Sequence, residues 1–103
     1  FMKCDCEIAA KYILPDLRSI IAKNLIKIGL SQNEISKKLG LTQPAISQYL
    51  RMKRGKKLLT AMDEATKKEI DEISKKIAFT DLSEEEIKEF FCRICGKIME
   101  GMK

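Results

Sequence analysis

Histidine and tryptophan are missing from this chain of 103 residues, which has only two prolines and five glycines. Histidine is the side chain most often used for acid–base catalysis and is a common metal ligand. No nucleophile elbow, glycine-rich phosphate loop or arrangement of paired carboxylates compensates for its absence. We therefore predict that the protein is not an enzyme.

Long apolar runs are missing as well. None approaches the roughly 18 residues that a membrane-spanning helix needs. The first residues are polar and carry cysteines, which is unlike a secretory signal. We expect a cytoplasmic protein with no membrane partner.

The third absence is the strict alternation of polar and apolar residues that is typical of strands. Apolar residues instead recur at helical spacing along the whole chain, which predicts an all-α fold. Hydrophobic residues make up 45% of the chain and charged residues 34%, enough for a buried core and a charged surface. The length is that of one domain with room for an appended element.

The positive charge is concentrated in the first part of the chain. Residues 1–59 hold twelve Lys and Arg against four Asp and Glu, a balance of +8. Residues 60–103 hold eight against eleven, a balance of −3. A basic half beside a slightly acidic one indicates a module that binds a polyanion, followed by something else.

Two short helices joined by a tight turn are predicted over 32–39 and 43–50. Ser31 and Thr42 stand one residue before each helical pattern, where a hydroxyl can accept from free backbone N–H groups. Gly40 follows the first helix, where a positive φ is cheap for glycine. The pattern predicts a helix-turn-helix, although an ordinary αα-hairpin in another helical protein is the alternative.

The apolar residues of this stretch fit one buried seam between the two helices, and the polar ones face outward. Pro44 lies in the first turn of the second helix, where its missing N–H is harmless. The seam consists of Ile35, Leu39, Leu41, Ile46 and Leu50, and the outward set of Gln43, Ala45, Ser47 and Gln48.

The spacing resembles that of the Xre/Cro family of phage-repressor-like DNA-binding domains. Gln32 is followed four residues on by the small Ser36, four further by Gly40, and six further by Ile46. The family usually has Ala where this chain has Ser36. The run GLTQPAISQYLRMKRG is the more specific part. With the lead-in CEIAAKYILPDLR, residues 4–57 are similar to archaeal Xre-type transcriptional regulators.

The resemblance implies a helical bundle of the phage-repressor type, whose second helix enters the major groove of double-stranded DNA. Glutamine can bond adenine in a bidentate way, serine can contact a base or a phosphate, and proline or alanine suits a thymine methyl. The expected base-reading residues are Gln43, Pro44, Ala45, Ser47 and Gln48.

Phosphate contacts are expected on both sides of these positions. Gln32 and Thr42 open their helices, where side chains and free N–H groups can hold phosphates. The basic stretch after the second helix would add affinity that falls with salt, although alone it would suggest a solvated loop. Its expected phosphate ligands are Arg51, Lys53, Arg54, Lys56 and Lys57.

The remaining helices surround this motif. We predict a short helix over 7–14 and a longer one over 15–28 that ends at Gly29. An amphipathic helix is predicted over 59–79, with a coiled-coil-like seam, and a last one over 83–99, opened by a capping box of Ser83 and Glu86. The seam is formed by Met62, Thr66, Ile70, Ile73 and Ile77, and the last helix should bury Ile87, Phe90, Phe91, Ile94 and Ile98.

We therefore divide the chain into a DNA-binding unit over 1–57, with its cysteine lead-in, and a helical hairpin over 58–103. The hairpin is the expected dimerisation element, because helices with apolar seams need partners. The alternative is that both helices fold back on their own domain and leave a monomer. A homodimer would bind a pseudo-palindromic operator, as is usual for this motif.

The four cysteines form two pairs at the two ends of the chain. Cys4 and Cys6 would lie on the same side of an extended segment, and Cys92 and Cys95 share a helix face. Four thiolates could hold zinc or an iron–sulfur cluster. Reduced structural thiols and a disulfide are the alternatives.

The expected function is that of a sequence-specific DNA-binding transcriptional regulator with a recognition helix over 43–50. Its four cysteines could make it responsive to metal or redox state. The alternative is a protein–protein interaction module of the same fold, an antitoxin-like adaptor with no specific operator.

Overall fold

The computed structural model describes residues 13–52, 58, 60 and 62–101 of the chain. These residues contain five helices of eight or more residues and no strand, so the predicted all-α fold is confirmed. The helix predicted over 7–14 lies almost wholly outside the described residues. The five helices are α1 (Leu14–Ile28), α2 (Gln32–Leu39), α3 (Gln43–Arg51), α4 (Glu64–Phe79) and α5 (Glu84–Gly101).

Helix α1 is the central element, in contact with each of the other four helices. Its side chains at Leu17 and Leu25 are fully buried in a core to which all five helices contribute. It ends where Gly29 takes a φ of 121° and donates its backbone N–H to the carbonyls of Ile26 and Leu25. The predicted end of this helix is therefore confirmed.

Helix α4 begins later than predicted. Its first residue is Glu64 rather than Leu59, because Asp63 has an extended backbone with ψ at 167° and acts as the N-cap. The Asp63 carboxylate accepts a hydrogen bond of 2.7 Å from the backbone N–H of Thr66. The prediction of one uninterrupted helix over 59–79 was therefore wrong, because Met62 and the Asp63 cap precede the first residue of α4.

The predicted seam of α4 is buried inside the chain. Helix α4 packs on α1 and on α5, the apolar residues of the predicted seam belong to the common core, and Thr66 is buried as well. Asn24 of α1 also donates a hydrogen bond of 3.2 Å to the hydroxyl of Ser74. The apolar stripe that suggested a dimer is therefore covered by the chain's own helices, and the division of the chain at Lys57 stays a prediction.

Helix α5 starts at the predicted capping box. The Ser83 hydroxyl accepts from the backbone N–H of Glu86 at 3.2 Å, and the Glu86 carboxylate accepts from the backbone N–H of Ser83 at 3.3 Å. Four of its five predicted core residues are buried, whereas Phe90 is only half-buried. No helix in the described part of the chain is both long and apolar enough to cross a membrane.

Candidate nucleic-acid interface

Local hydrogen bonds fix both ends of α2. The Ser31 hydroxyl accepts from the backbone N–H of Glu34 at 3.1 Å, and the Glu34 carboxylate accepts from the backbone N–H of Ser31 at 3.0 Å. Hydrogen bonds from the backbone and the side chain of Ser31 hold the pKa of the Glu34 carboxyl below its usual value, because they favour its ionised form. At the other end Gly40 adopts the left-handed conformation, with a φ of 66°.

Helix α3 follows immediately and is capped by Thr42. The Thr42 hydroxyl accepts from the backbone N–H of Ala45 at 3.3 Å, and Pro44 occupies the first turn. Leu41 is the single residue between Gly40 and the Thr42 cap, so α2 and α3 must cross closely. The predicted caps, turn and helix limits are confirmed, except that α3 extends one residue further, to Arg51.

The two helices are locked together by their apolar faces. Ile35, Leu39 and Ile46 are 0% exposed, while Leu41 and Leu50 are half-buried against the same core. This seam anchors one side of α3 and leaves the other side available for contact.

The outward side of α3 carries the predicted base-reading residues. Gln43, Pro44 and Gln48 are exposed, and Ala45 and Ser47 are half-buried. Because residues three and four apart share a helix face, Pro44, Gln48 and Arg51 form one exposed stripe. The structure places these residues at the surface, and their contacts with bases stay a prediction.

Sequence reasoning missed one neighbour of this surface. The side chain of Gln43 donates a hydrogen bond of 2.8 Å from Nε2 to Oδ1 of Asn33, in the first turn of α2. Asn33 and Gln43 are ten residues apart, and each follows a capped helix start. The two helices begin side by side, so residues of their first turns meet. The caps Ser31 and Thr42 mark both helix starts in the sequence and could have indicated this contact.

Residues of α1 were also missed, at the opposite end of α3. The Ser19 hydroxyl donates to the backbone carbonyl of Tyr49 at 2.8 Å, and the Lys23 ammonium donates to that of Met52 at 2.6 Å. The Arg18 guanidinium donates to the Tyr49 hydroxyl at 3.2 Å. These bonds join residues about thirty positions apart, so only the folded chain reveals them.

The predicted phosphate ligands are only partly described. Gln32 and Thr42 are exposed at the starts of α2 and α3, and Arg51 is exposed at the end of α3. The other four, Lys53, Arg54, Lys56 and Lys57, lie outside the described residues. Thr42 and Arg51 lie at the two ends of α3, the helix that carries the base-reading set, and Gln32 is the first residue of α2.

The predicted thiolate site is likewise only half described. Cys95 is 1% exposed in the core, and Cys92 is half-buried on the same helix. Cys4 and Cys6 lie outside the described residues, and within 13–52, 58, 60 and 62–101 no three potential ligands cluster around a metal position. Binding of zinc or an iron–sulfur cluster stays a prediction.

Comparison with known proteins assigns the motif to a family. Residues 21–73, just over half of the chain, match the helix-turn-helix family, a family of DNA-binding regulatory domains rather than of enzymes. The matched stretch contains α2, α3, the second half of α1 and the start of α4. Comparisons with curated proteins and with solved structures gave no match. The capped helices α2 and α3, the turn at Gly40 and this match all indicate the same motif. The chain belongs to the Xre-type helix-turn-helix family of DNA-binding regulators.

Proposed function

We propose that the protein is a transcriptional regulator that binds a specific DNA sequence by placing α3 in the major groove. The observation that carries the proposal is the two-sided character of α3. Ile46 on one side is fully buried, whereas Pro44, Gln48 and Arg51 form an exposed stripe on the other. The major groove is about 12 Å wide and admits one helix.

The chemistry of the exposed residues supports direct reading of base edges. Gln43 and Gln48 each carry an amide acceptor and donor that match adenine N6 and N7. Pro44 and Ala45 offer apolar surface to a thymine methyl, and Ser47 offers a hydroxyl. The preferred site therefore includes A·T pairs opposite the first and middle turns of α3.

Phosphate contacts would set the register of α3 without reading sequence. Gln32 and Thr42 lie at two neighbouring helix starts, where backbone N–H groups point outward and favour anions. Arg51, together with the basic residues Lys53, Arg54, Lys56 and Lys57 that follow it, would add salt-dependent affinity.

A homodimer would place two copies of α3 on the two halves of a pseudo-palindromic operator. Half-sites for this motif are about 34 Å apart, one turn of DNA. Because the seam of α4 is buried within the chain, the dimer contact would use another, exposed surface, for which the end of α4 is our candidate. Phe79, the last residue of α4, is 73% exposed and is the most exposed large apolar side chain among the described residues.

Regulation through the four cysteines forms the second part of the proposal. A site made by Cys4, Cys6, Cys92 and Cys95 would join the N-terminal lead-in to α5, and metal release would loosen α5 from the core. Elemental analysis of protein purified without oxygen tests it directly. Zinc at one equivalent per site, or iron with absorbance near 400 nm, supports the site, and the absence of both metals removes it.

The experiment that tests DNA reading is a selection from random duplexes, followed by measurements with variants of α3. We expect one enriched motif, bound by the wild-type chain, and a loss of preference in Gln48→Ala. Lys75→Ala, an exposed substitution on α4, is the matched control and should keep the motif. Enrichment of no motif would favour the adaptor function of the same fold.

A further inference from the structure

The last turn of α3 is held by side chains of α1. Ser19 donates to the carbonyl of Tyr49 at 2.8 Å, and Lys23 donates to the carbonyl of Met52 at 2.6 Å. We call these two interactions the tail clamp. Both donors lie on the central helix, one turn apart, so they act on α3 from a single rigid support.

The tail clamp satisfies groups that the helix itself leaves without partners. The last four carbonyls of an α-helix lack intrahelical donors, and Tyr49 lies within the last turn of α3, which ends at Arg51. A cation beside a helix C-terminus is also favourable, because the helix dipole is negative there. Lys23 supplies that cation beside Met52, the C-cap residue.

Ser19 is the more informative of the two donors. It is 0% exposed and lies among the leucines and isoleucines of the core face of α1. Burial of a hydroxyl is unfavourable unless the group is hydrogen-bonded. The bond to the Tyr49 carbonyl therefore ties the position of the Ser19 side chain to that of α3. An apolar residue would fill the same space without fixing the position of α3 along α1.

We propose that Ser19 and Lys23 are positioning residues that determine the sequence specificity of α3, an inference that rests on the proposed DNA-binding function. The start of α3 is held by the Thr42 cap and the bond between Gln43 and Asn33. Its end is held by the tail clamp. Gln48 belongs to the half of α3 nearer the tail clamp, so the position of its side chain in the groove depends on the clamp.

The expected consequence is a loss of specificity without a loss of general affinity. Base contacts tolerate displacements of only about 0.5 Å, whereas contacts to phosphates are less demanding. Ser19 is buried and therefore cannot touch DNA. Removing its hydroxyl changes no charge and no phosphate ligand, so binding to random DNA and its salt dependence stay as they are.

The experiment compares two duplexes for each variant of the full chain, the motif selected by the wild type and a scrambled sequence. In Ser19→Ala and in Lys23→Met, we expect the ratio of the two affinities to fall roughly fivefold or more, the size of one weakened base contact. Lys23→Arg keeps a cationic donor, so its ratio of affinities should stay close to that of the wild type. Ser74→Ala is the matched control, because it also removes a buried, hydrogen-bonded hydroxyl, but on α4.

Three results would overturn the tail clamp as a determinant of specificity. The first is an unchanged ratio in Ser19→Ala or, if that variant does not fold, in the half-buried Lys23→Met. The second is an equal fall in Ser74→Ala, which would trace the effect to stability. The third is a salt slope lower by about 1 on both duplexes in Lys23→Met, which would make Lys23 a phosphate ligand. A wild-type chain without any preferred motif would instead refute the proposed function.

Discussion

The amide of Gln43 donates to the side-chain oxygen of Asn33 at 2.8 Å, which couples the first turns of α2 and α3. This bond uses one amide hydrogen of Gln43 and leaves its oxygen and second hydrogen for a base. It also fixes the amide plane, so the side chain loses less rotational freedom on binding. This part of the candidate interface is therefore held in place by the protein's own contacts.

Gln43→Ala should lose roughly 1–3 kcal/mol of discrimination at one A·T pair of the selected motif, the range for one bidentate contact. Asn33→Ala should lose less, because Gln43 remains but its amide is no longer oriented. The double variant should lose no more than Gln43→Ala alone, since Asn33 acts through Gln43. Affinities for the motif and for its single-base variants measure this, and equal losses on motif and scrambled DNA would contradict base reading.

Lys56→Ala should weaken binding to all sequences alike. Removal of one phosphate contact lowers the slope of log affinity against log salt by about 1 and leaves the ratio between motif and scrambled DNA unchanged. Titrations at several salt concentrations provide the measurement. A fall in that ratio would show that Lys56 reads bases rather than phosphates.

The parts of the fold and of the candidate interface that the sequence predicted are those that depend on neighbouring residues. Ser31, Thr42 and Ser83 cap helices through bonds to residues three positions later, which a pattern of caps and acids reveals. Asp63 gives the same signal before Thr66, but the apolar repeat running through Met62 favoured a longer helix. Regular spacing of apolar residues shows which residues are buried but does not require one continuous helix. The helix can be interrupted while the spacing continues.

The parts that the sequence did not predict depend on tertiary contacts. Ser19 and Tyr49 are thirty residues apart, and nothing local distinguishes Ser19 from a surface serine. The buried face of α4 was predicted, but its partner was left open between a second copy and the chain's own helices, because periodicity gives the face of a helix and not what packs on it. Cys95 is 1% exposed because it lies on the buried face of α5, together with Phe91 and Ile98.

Gly96→Ala should stabilise the folded chain by about 0.4–1 kcal/mol. Gly96 lies within α5, and an added Cβ would meet no atom within 4 Å. Alanine has the higher helix propensity and restricts the unfolded chain. Urea unfolding provides the measurement.

Gly29→Ala is the control for that substitution, because its added Cβ also meets nothing within 4 Å but its φ is +121°. Alanine is strained in that conformation, so this variant should be less stable than the wild type. If both variants shift stability in the same direction, backbone conformation does not explain the difference.

Asp63→Asn should remove part of the acid sensitivity of the fold. The hydrogen bonds from Thr66 hold the pKa of the Asp63 carboxyl below its usual value of 3.8. A lowered pKa in the folded state gives stability that is present above about pH 3.8 and is lost as pH falls through the folded value. Asparagine caps a helix without titrating. Thermal unfolding between pH 7 and pH 2 should show a shallower decline for Asp63→Asn, and an identical decline would contradict this contribution.

Phe79→Ser should shift the protein towards the monomer if the outer end of α4 forms the dimer contact. Truncation after Lys57 would not test this contact, because it removes α4 and α5 from the common core and so disrupts the fold. Phe79 is 73% exposed, and its replacement should leave the stability of the monomer within about 0.5 kcal/mol. Sedimentation of the two chains across a range of concentrations gives the association constant. We expect the wild type to dimerise and the variant to do so at least tenfold more weakly. An unchanged constant would move the interface to another surface, and a monomeric wild type would require binding to single half-sites.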